Sequence, residues 1–216
     1  MQDYDILTRI DHTLLKQDAT FSQVQQKCDE AAAYHMASVC INPVFVRRAV
    51  EYVQGRVPIC TVIGFPLGAT TTQTKVQEAK ECLRYGCEEF DMVISVGLLK
   101  EKNFHAVLDD IRAVREAVED KLLKVIVETC LLSEQEKRLM CELVCKAGAD
   151  FIKTSTGFAA SGACLEDIRL FSQELQGRCK IKAAGGIRTR EDMIRFIEAG
   201  ADRIGCSSAL QALQLP

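Results

Sequence analysis

Gly148-Ala-Asp-Phe-Ile-Lys153 reads as a helix stop followed at once by a short buried strand, and the pattern returns at Gly86-Cys-Glu-Glu-Phe-Asp91 and Gly200-Ala-Asp-Arg-Ile-Gly205. Glycine ends a helix readily because it enters the left-handed region without a Cβ clash. His35-Met-Ala-Ser-Val-Cys40 keeps the spacing without the glycine. An echo of this kind marks one supersecondary unit repeated along the chain. Outward from these stretches, short β-rich runs alternate with amphipathic helical segments, the order expected of βα units on a parallel sheet. The runs are Arg9 to Thr13, Ala37 to Ile41, Pro58 to Ile63, Glu89 to Ile94, Leu123 to Glu128, Asp150 to Lys153, Cys179 to Ala183 and Arg203 to Gly205. Eight of them predict a closed (β/α)8 TIM barrel occupying residues 1–216 as a single domain. A doubly wound sheet fits less well, because no GxGxxG turn follows the first run.

The helical segments carry their own punctuation. Ser133 with Glu136 forms a capping-box pattern, Leu139, Leu143 and Ala147 share a face, and Gly148 closes the segment. Asn42-Pro43 and Thr189 with Asp192 open two others. Alternate strands of a barrel build one inward layer. The residues five places after each stop, Cys40, Asp91, Lys153 and Gly205, are therefore expected to point inward together, with Gly205 leaving space.

Composition narrows the class of function. The chain has 216 residues, 48% of them apolar, enough to bury one sizeable core. Its 27 basic and 30 acidic residues are dispersed, with a net charge of −3, so no basic stripe addresses nucleic acid or an anionic membrane. Asp3 and Asp5 argue against a secretory leader. The longest uncharged run, 57–74, is broken by Pro58, Pro66, Gly64 and Gly68 and is no membrane span. Eleven cysteines without a CxxC fit reduced thiols and a cytoplasmic protein. Cys141 and Cys145 lie one helical turn apart, but His12, His35 and His105 form no ligand pattern with them, so no metal is expected. A small-molecule partner remains.

Asp91, Lys153 and Lys182 interrupt runs that are otherwise apolar enough to be buried on both faces. A structural ion pair would account for them. Their position, at or near the carboxyl ends of the runs where barrel enzymes build their sites, favours chemistry. A lysine crowded by a second cation loses its proton more easily, and the neutral amine attacks a carbonyl to give a Schiff base. Gly185-Gly186 after the seventh run and Gly205-Cys-Ser-Ser208 after the eighth stand where barrels bind phosphate, with backbone N–H groups and hydroxyls as donors.

These residues lie within a series of ordered motifs: Asp11-His-Thr-Leu-Leu15, Val39-Cys-Ile-Asn-Pro43, Val62-Ile-Gly-Phe-Pro-Leu-Gly68 and Glu89-Phe-Asp-Met-Val-Ile94. Lys124-Val-Ile-Val-Glu-Thr129, Phe151-Ile-Lys-Thr-Ser-Thr-Gly-Phe158 and Lys182-Ala-Ala-Gly-Gly-Ile-Arg188 continue it. Through them, over nearly its whole length, the chain closely resembles the deoxyribose-phosphate aldolases, class I enzymes on a (β/α)8 barrel. The resemblance implies reversible cleavage of 2-deoxy-D-ribose 5-phosphate to D-glyceraldehyde 3-phosphate and acetaldehyde in nucleoside catabolism. It also implies no metal or organic cofactor, and association of the barrels as homodimers. It makes Lys153 the Schiff-base nucleophile, Lys182 the cation that lowers its pKa and Asp91 the proton-relay partner. It assigns the phosphate to Gly157, Gly185, Gly186, Gly205, Ser207 and Ser208, and gives Asp11 and Thr156 the task of orienting substrate hydroxyls or the lysine pair. Cys40 reads as a small packed residue. Two departures stand out. Phe158 occupies a place where some members carry lysine, removing one phosphate contact. Leu210-Gln-Ala-Leu-Gln-Leu-Pro216 lacks the tyrosine some members carry there, so no tail-borne proton transfer is expected.

Overall fold

The computed structural model describes residues 1–216. Eight parallel strands, β1 (Ile10–Leu14), β2 (Ser38–Ile41), β3 (Ile59–Ile63), β4 (Glu89–Val93), β5 (Leu122–Ile126), β6 (Phe151–Lys153), β7 (Lys180–Ala184) and β8 (Arg203–Cys206), pair in chain order. β8 returns to β1 through Ile10↔Ile204 and Asp11↔Gly205, closing the barrel. The main helices around it are α2 (Phe21–Ala33), α3 (Val46–Val53), α4 (Thr72–Arg84), α6 (Phe104–Ala117), α7 (Glu134–Lys146), α8 (Leu165–Leu175) and α9 (Arg190–Glu198). Shorter helices are α1 (Asp3–Leu7), α5 (Val96–Lys100) and α10 (Ala209–Ala212). No helix is long and apolar enough to cross a membrane.

Helix stops and starts follow the local chemistry. His35, Gly86, Gly148 and Gly200, the four echoing positions, all have positive φ, at 52°, 92°, 73° and 118°. The repeat is therefore a repeat of left-handed turns, with His35 bearing the side-chain strain the glycines avoid. At the start of α7, the Glu136 amide donates to Ser133 Oγ at 3.3 Å and the Ser133 amide to Glu136 Oε2 at 2.7 Å. Ser133→Ala should cost about 1 kcal/mol, read as a lower urea midpoint with an unchanged m-value.

The principal core lies between strands and helices, where Val39, Ile41, Phe90, Met92, Val125 and Ile152 are fully buried. Inside the barrel only Leu15, Cys40, Cys60 and Val62 form an apolar cluster. The paired register stacks three inward layers from alternate strands. The lowest holds Ser38, Glu89, Phe151 and Arg203, the next Asp11, Cys60, Lys124 and Lys182, and the third Cys40, Asp91, Lys153 and Gly205. The third is the layer expected from the repeat. A Cβ on Gly205 would come within 2.9 Å of Ala184 Cβ and 3.3 Å of Lys182 Cε, so its hydrogen side chain is the room the lysine stem uses.

Candidate active site

Seven charged side chains fill the barrel interior. Lys153 Nζ donates to Asp91 Oδ2 at 2.7 Å, and Lys182 Nζ donates to the same oxygen at 2.6 Å. Asp91 Oδ1 accepts from Lys124 Nζ at 2.9 Å, and Lys124 also pairs with Glu89 at 2.6 Å. Lys182 pairs with Asp11 Oδ2. The other Asp11 oxygen accepts from Arg203 at 2.5 Å and from Ser38 Oγ at 2.8 Å, and Arg203 reaches Glu89 at 3.2 Å. Asp11, Asp91, Lys124 and Lys182 are fully buried, at a cost that only their counter-charges offset.

The electrostatics follow from these distances. Burial works to raise the Asp91 carboxyl, but Lys124, Lys153 and Lys182 override it and hold the group well below the carboxylate range. Asp11 is likewise raised by burial and pulled far down by Lys182, Lys124 and Arg203. Burial would discharge Lys182, yet Asp11 and Asp91 raise its pKa; Lys124 is raised the same way, mainly by Asp91. Three carboxylates, Asp11, Glu89 and Asp91, thus face three fixed cations, Lys124, Lys182 and Arg203. They match in number, and Lys153 is a fourth basic side chain on the same network.

Above the network lies a cavity of about 410 Å³ lined by loops at the carboxyl ends of the strands, within the range of small-ligand sites. Lys153 is the member of the network that lines it, at the last position of β6. Thr156 and Gly157 follow it in the lining, which also includes Gly185, Gly186, Gly205 and Ser207 and the apolar Leu14 and Leu15. Glycine at 185 meets a packing demand: a Cβ there would stand 3.0 Å from Gly162 Cα and 3.4 Å from Gly157 Cα. Phe158 closes one side of the cavity, its ring edge-on to Phe65 with centroids 5.3 Å apart.

Several expected positions shift. Asp91 and Lys182 are the middle residues of their five-residue strands, not the ends, because each strand continues two residues into the rim. Asp11 does not line the cavity; it is fully buried and holds Lys182, Arg203 and Ser38. Thr156 does line it, but its hydroxyl donates to Glu128, whose carboxylate also faces the Thr156 amide at 3.3 Å. Ser208 is absent from the lining, its hydroxyl turned to Cys206 Sγ at 3.9 Å, since the chain already coils into α10 there.

Sequence reading missed Lys124, Glu89 and Arg203 as members of the network. A signal existed for Lys124, a charge within Leu-Leu-Lys-Val-Ile as anomalous as Lys182, and for Glu89, which shares a strand face with Asp91 two residues on. Two triads that share Cys60, one with Cys40 and Asp91 and one with Asp11 and Glu89, have spacings that could hold a metal ion. Lys124 Nζ stands among them, 3.3 Å from Cys60 Sγ and 2.9 Å from Asp91, in the place a cation would take. All eleven cysteines are unpaired. Lys16 and Arg188 also line the cavity and were missed, because charges on loops carry no signal of their own.

A closed parallel barrel with a charged interior beneath a cavity at its carboxyl-end rim has the layout of a (β/α)8 enzyme. The family model described as DeoC/LacD family aldolase matches residues 6–214, and the chain belongs to that family. It is an aldolase, a carbon–carbon lyase. It is 49% identical over 209 residues to a deoxyribose-phosphate aldolase of Clostridioides difficile, covering 97% of this chain and 95% of that one. Among solved structures, an aldolase named QR15 is 40% identical with a TM-score of 0.94, over 97% of this chain and 95% of that chain. A deoxyribose-phosphate aldolase of Aeropyrum pernix, described as tetrameric, is 31% identical with a TM-score of 0.91, over 99% and 91%.

Proposed function

We propose that this aldolase reversibly cleaves 2-deoxy-D-ribose 5-phosphate to D-glyceraldehyde 3-phosphate and acetaldehyde through a Schiff base on Lys153. One observation carries the reading. Of the two lysines on Asp91 Oδ2, Lys153 faces the cavity while Lys182 is sealed between Asp11 and Asp91. The amine at the cavity floor is the nucleophile, and the sealed one is the fixed cation.

The Lys153 amine adds to the C1 aldehyde of the open-chain sugar, and loss of water gives an iminium. A base takes the proton of the C3 hydroxyl, the C2–C3 bond breaks, and its electrons pass into the iminium as an enamine. Glyceraldehyde 3-phosphate leaves with C3 as its aldehyde carbon. Protonation of the enamine at C2 and hydrolysis then release acetaldehyde and the free amine. Asp91, bonded to both lysines through one oxygen, moves protons between Lys153 and water entering from the cavity while Lys182 keeps its charge. The iminium is itself the electron sink, so this chemistry calls for no metal or organic cofactor. The phosphate rests on the backbone of Gly157, Gly185, Gly186, Gly205 and Ser207.

Trapping tests the assignment. Acetaldehyde with borohydride should leave an ethyl group on Lys153 in peptide maps, and aldehyde release from deoxyribose 5-phosphate should be seen in a coupled assay. Labelling at another lysine of the active enzyme would refute the role of Lys153. Lys182→Leu removes the cation shared by Asp11 and Asp91 beside the nucleophile. Its turnover near neutrality is expected to fall by about 10²- to 10⁴-fold, with the pH–rate profile displaced to higher pH. An unmoved profile would show that Lys182 does not govern the nucleophile.

A further inference from the structure

We infer that Lys16 is a specificity-determining residue that supplies a side-chain cation to the phosphate end of the substrate, an inference that rests on the phosphosugar reading above. The cavity lining contains Lys16, Lys153 and Arg188 and no carboxylate. Lys153 Nζ is held by Asp91, which leaves the two loop cations to meet an anion. Their placement is set by the barrel. Arg188 follows β7 and Lys16 follows β1, and the pairings Ala184↔Gly205 and His12↔Cys206 put the β8 turn between those two loops. Gly205 and Ser207 of that turn line the cavity with both cations.

A phosphate monoester carries a charge of roughly −1.5 to −2 near neutrality. Backbone amides and one guanidinium leave part of that charge unmatched, and a cavity lined by one sign of charge concentrates the opposite ion. Beyond Lys153, the loop after β6 lines the cavity with Thr156, Gly157 and Phe158 and adds no further charge. The loop cations that meet the dianion thus stand on the β7 and β1 sides of the β8 turn, which sets the direction of the bound sugar: phosphate toward the β8 turn, aldehyde toward Lys153. Lys16 is exposed, so its replacement leaves the buried core intact.

The test compares wild type with Lys16→Gln and Lys16→Arg on 2-deoxyribose 5-phosphate and on unphosphorylated 2-deoxyribose, together with calorimetric titration of inorganic phosphate. For Lys16→Gln the ratio of kcat/KM between the two sugars should fall about tenfold through KM, phosphate should bind more weakly by a similar factor, and Lys16→Arg should restore both. An unchanged ratio, or an equal loss on both sugars, overturns the inference. If wild type turns over neither sugar yet binds phosphate in a Lys16-dependent way, the proposed reaction fails and the role of Lys16 stands. If it turns over the phosphorylated sugar and Lys16→Gln changes neither KM nor phosphate binding, the reverse holds.

Discussion

Lys153→Leu is expected to abolish borohydride trapping and to lower aldol cleavage by about 10⁴-fold or more, while the protein stays folded. The loss is large because the amine forms the covalent bond through which every later step runs, and no other amine of the network lines the cavity. Retention of the fold follows from the charge balance. Asp11, Glu89 and Asp91 are already matched by Lys124, Lys182 and Arg203, so leucine removes a hydrogen bond to Asp91 without orphaning a charge. A near volume-conserving change of this kind should cost about 1.5 kcal/mol or less. Urea unfolding alongside the trapping assay checks both parts. Residual cleavage within tenfold of wild type would place the nucleophile elsewhere.

Asp91→Asn should lose both activity and stability. An amide offers one acceptor oxygen and turns two N–H donors toward its neighbours, whereas the carboxylate accepts from Lys124, Lys153 and Lys182 together. The substitution leaves one buried cation unmatched, at an expected cost of about 3–5 kcal/mol, and removes the proton carrier, at about 10²- to 10⁴-fold in turnover. The pH dependence is diagnostic. In wild type the folded pKa of Asp91 is depressed, so its contribution to stability is present above the unfolded carboxylate value and is lost only as pH falls toward the folded pKa. In the variant, a buried lysine escapes its unmatched charge by shedding a proton. The folded state then binds fewer protons than the unfolded one, and stability should rise with pH through the alkaline range relative to wild type. Denaturant midpoints measured from neutral pH upward would show this; a constant difference would mean that no lysine depends on Asp91 for its charge.

The contrast between these variants shows which parts of the site were legible beforehand. Lys153, Lys182 and Asp91 announced themselves as charges in apolar strands, and the repeat placed Lys153 and Asp91 in one layer. Lys124 was equally anomalous but comes second in the run Leu123 to Glu128, away from the carboxyl end where chemistry was sought. Arg203 and Glu89, at the first positions of β8 and β4, read as ordinary strand-entry charges. Asp11 was left between orienting substrate hydroxyls and orienting the lysine pair, and in the fold it contacts Lys182 beneath the cavity. The depth of a side chain in a barrel depends on stagger between strands, which no single strand encodes.

The sequence by itself determined the eight βα units, their order, the turns that end the helices and the residue types available for chemistry. These are local properties: hydrophobic period, capping side chains and left-handed stops act within a few residues. Tertiary structure alone decided which charges share an oxygen, that the fixed charges balance without Lys153, and that Lys153 rather than Lys182 meets the cavity. Those outcomes depend on closing β8 onto β1 in one register, because a buried charge takes its state from partners that arrive from other strands.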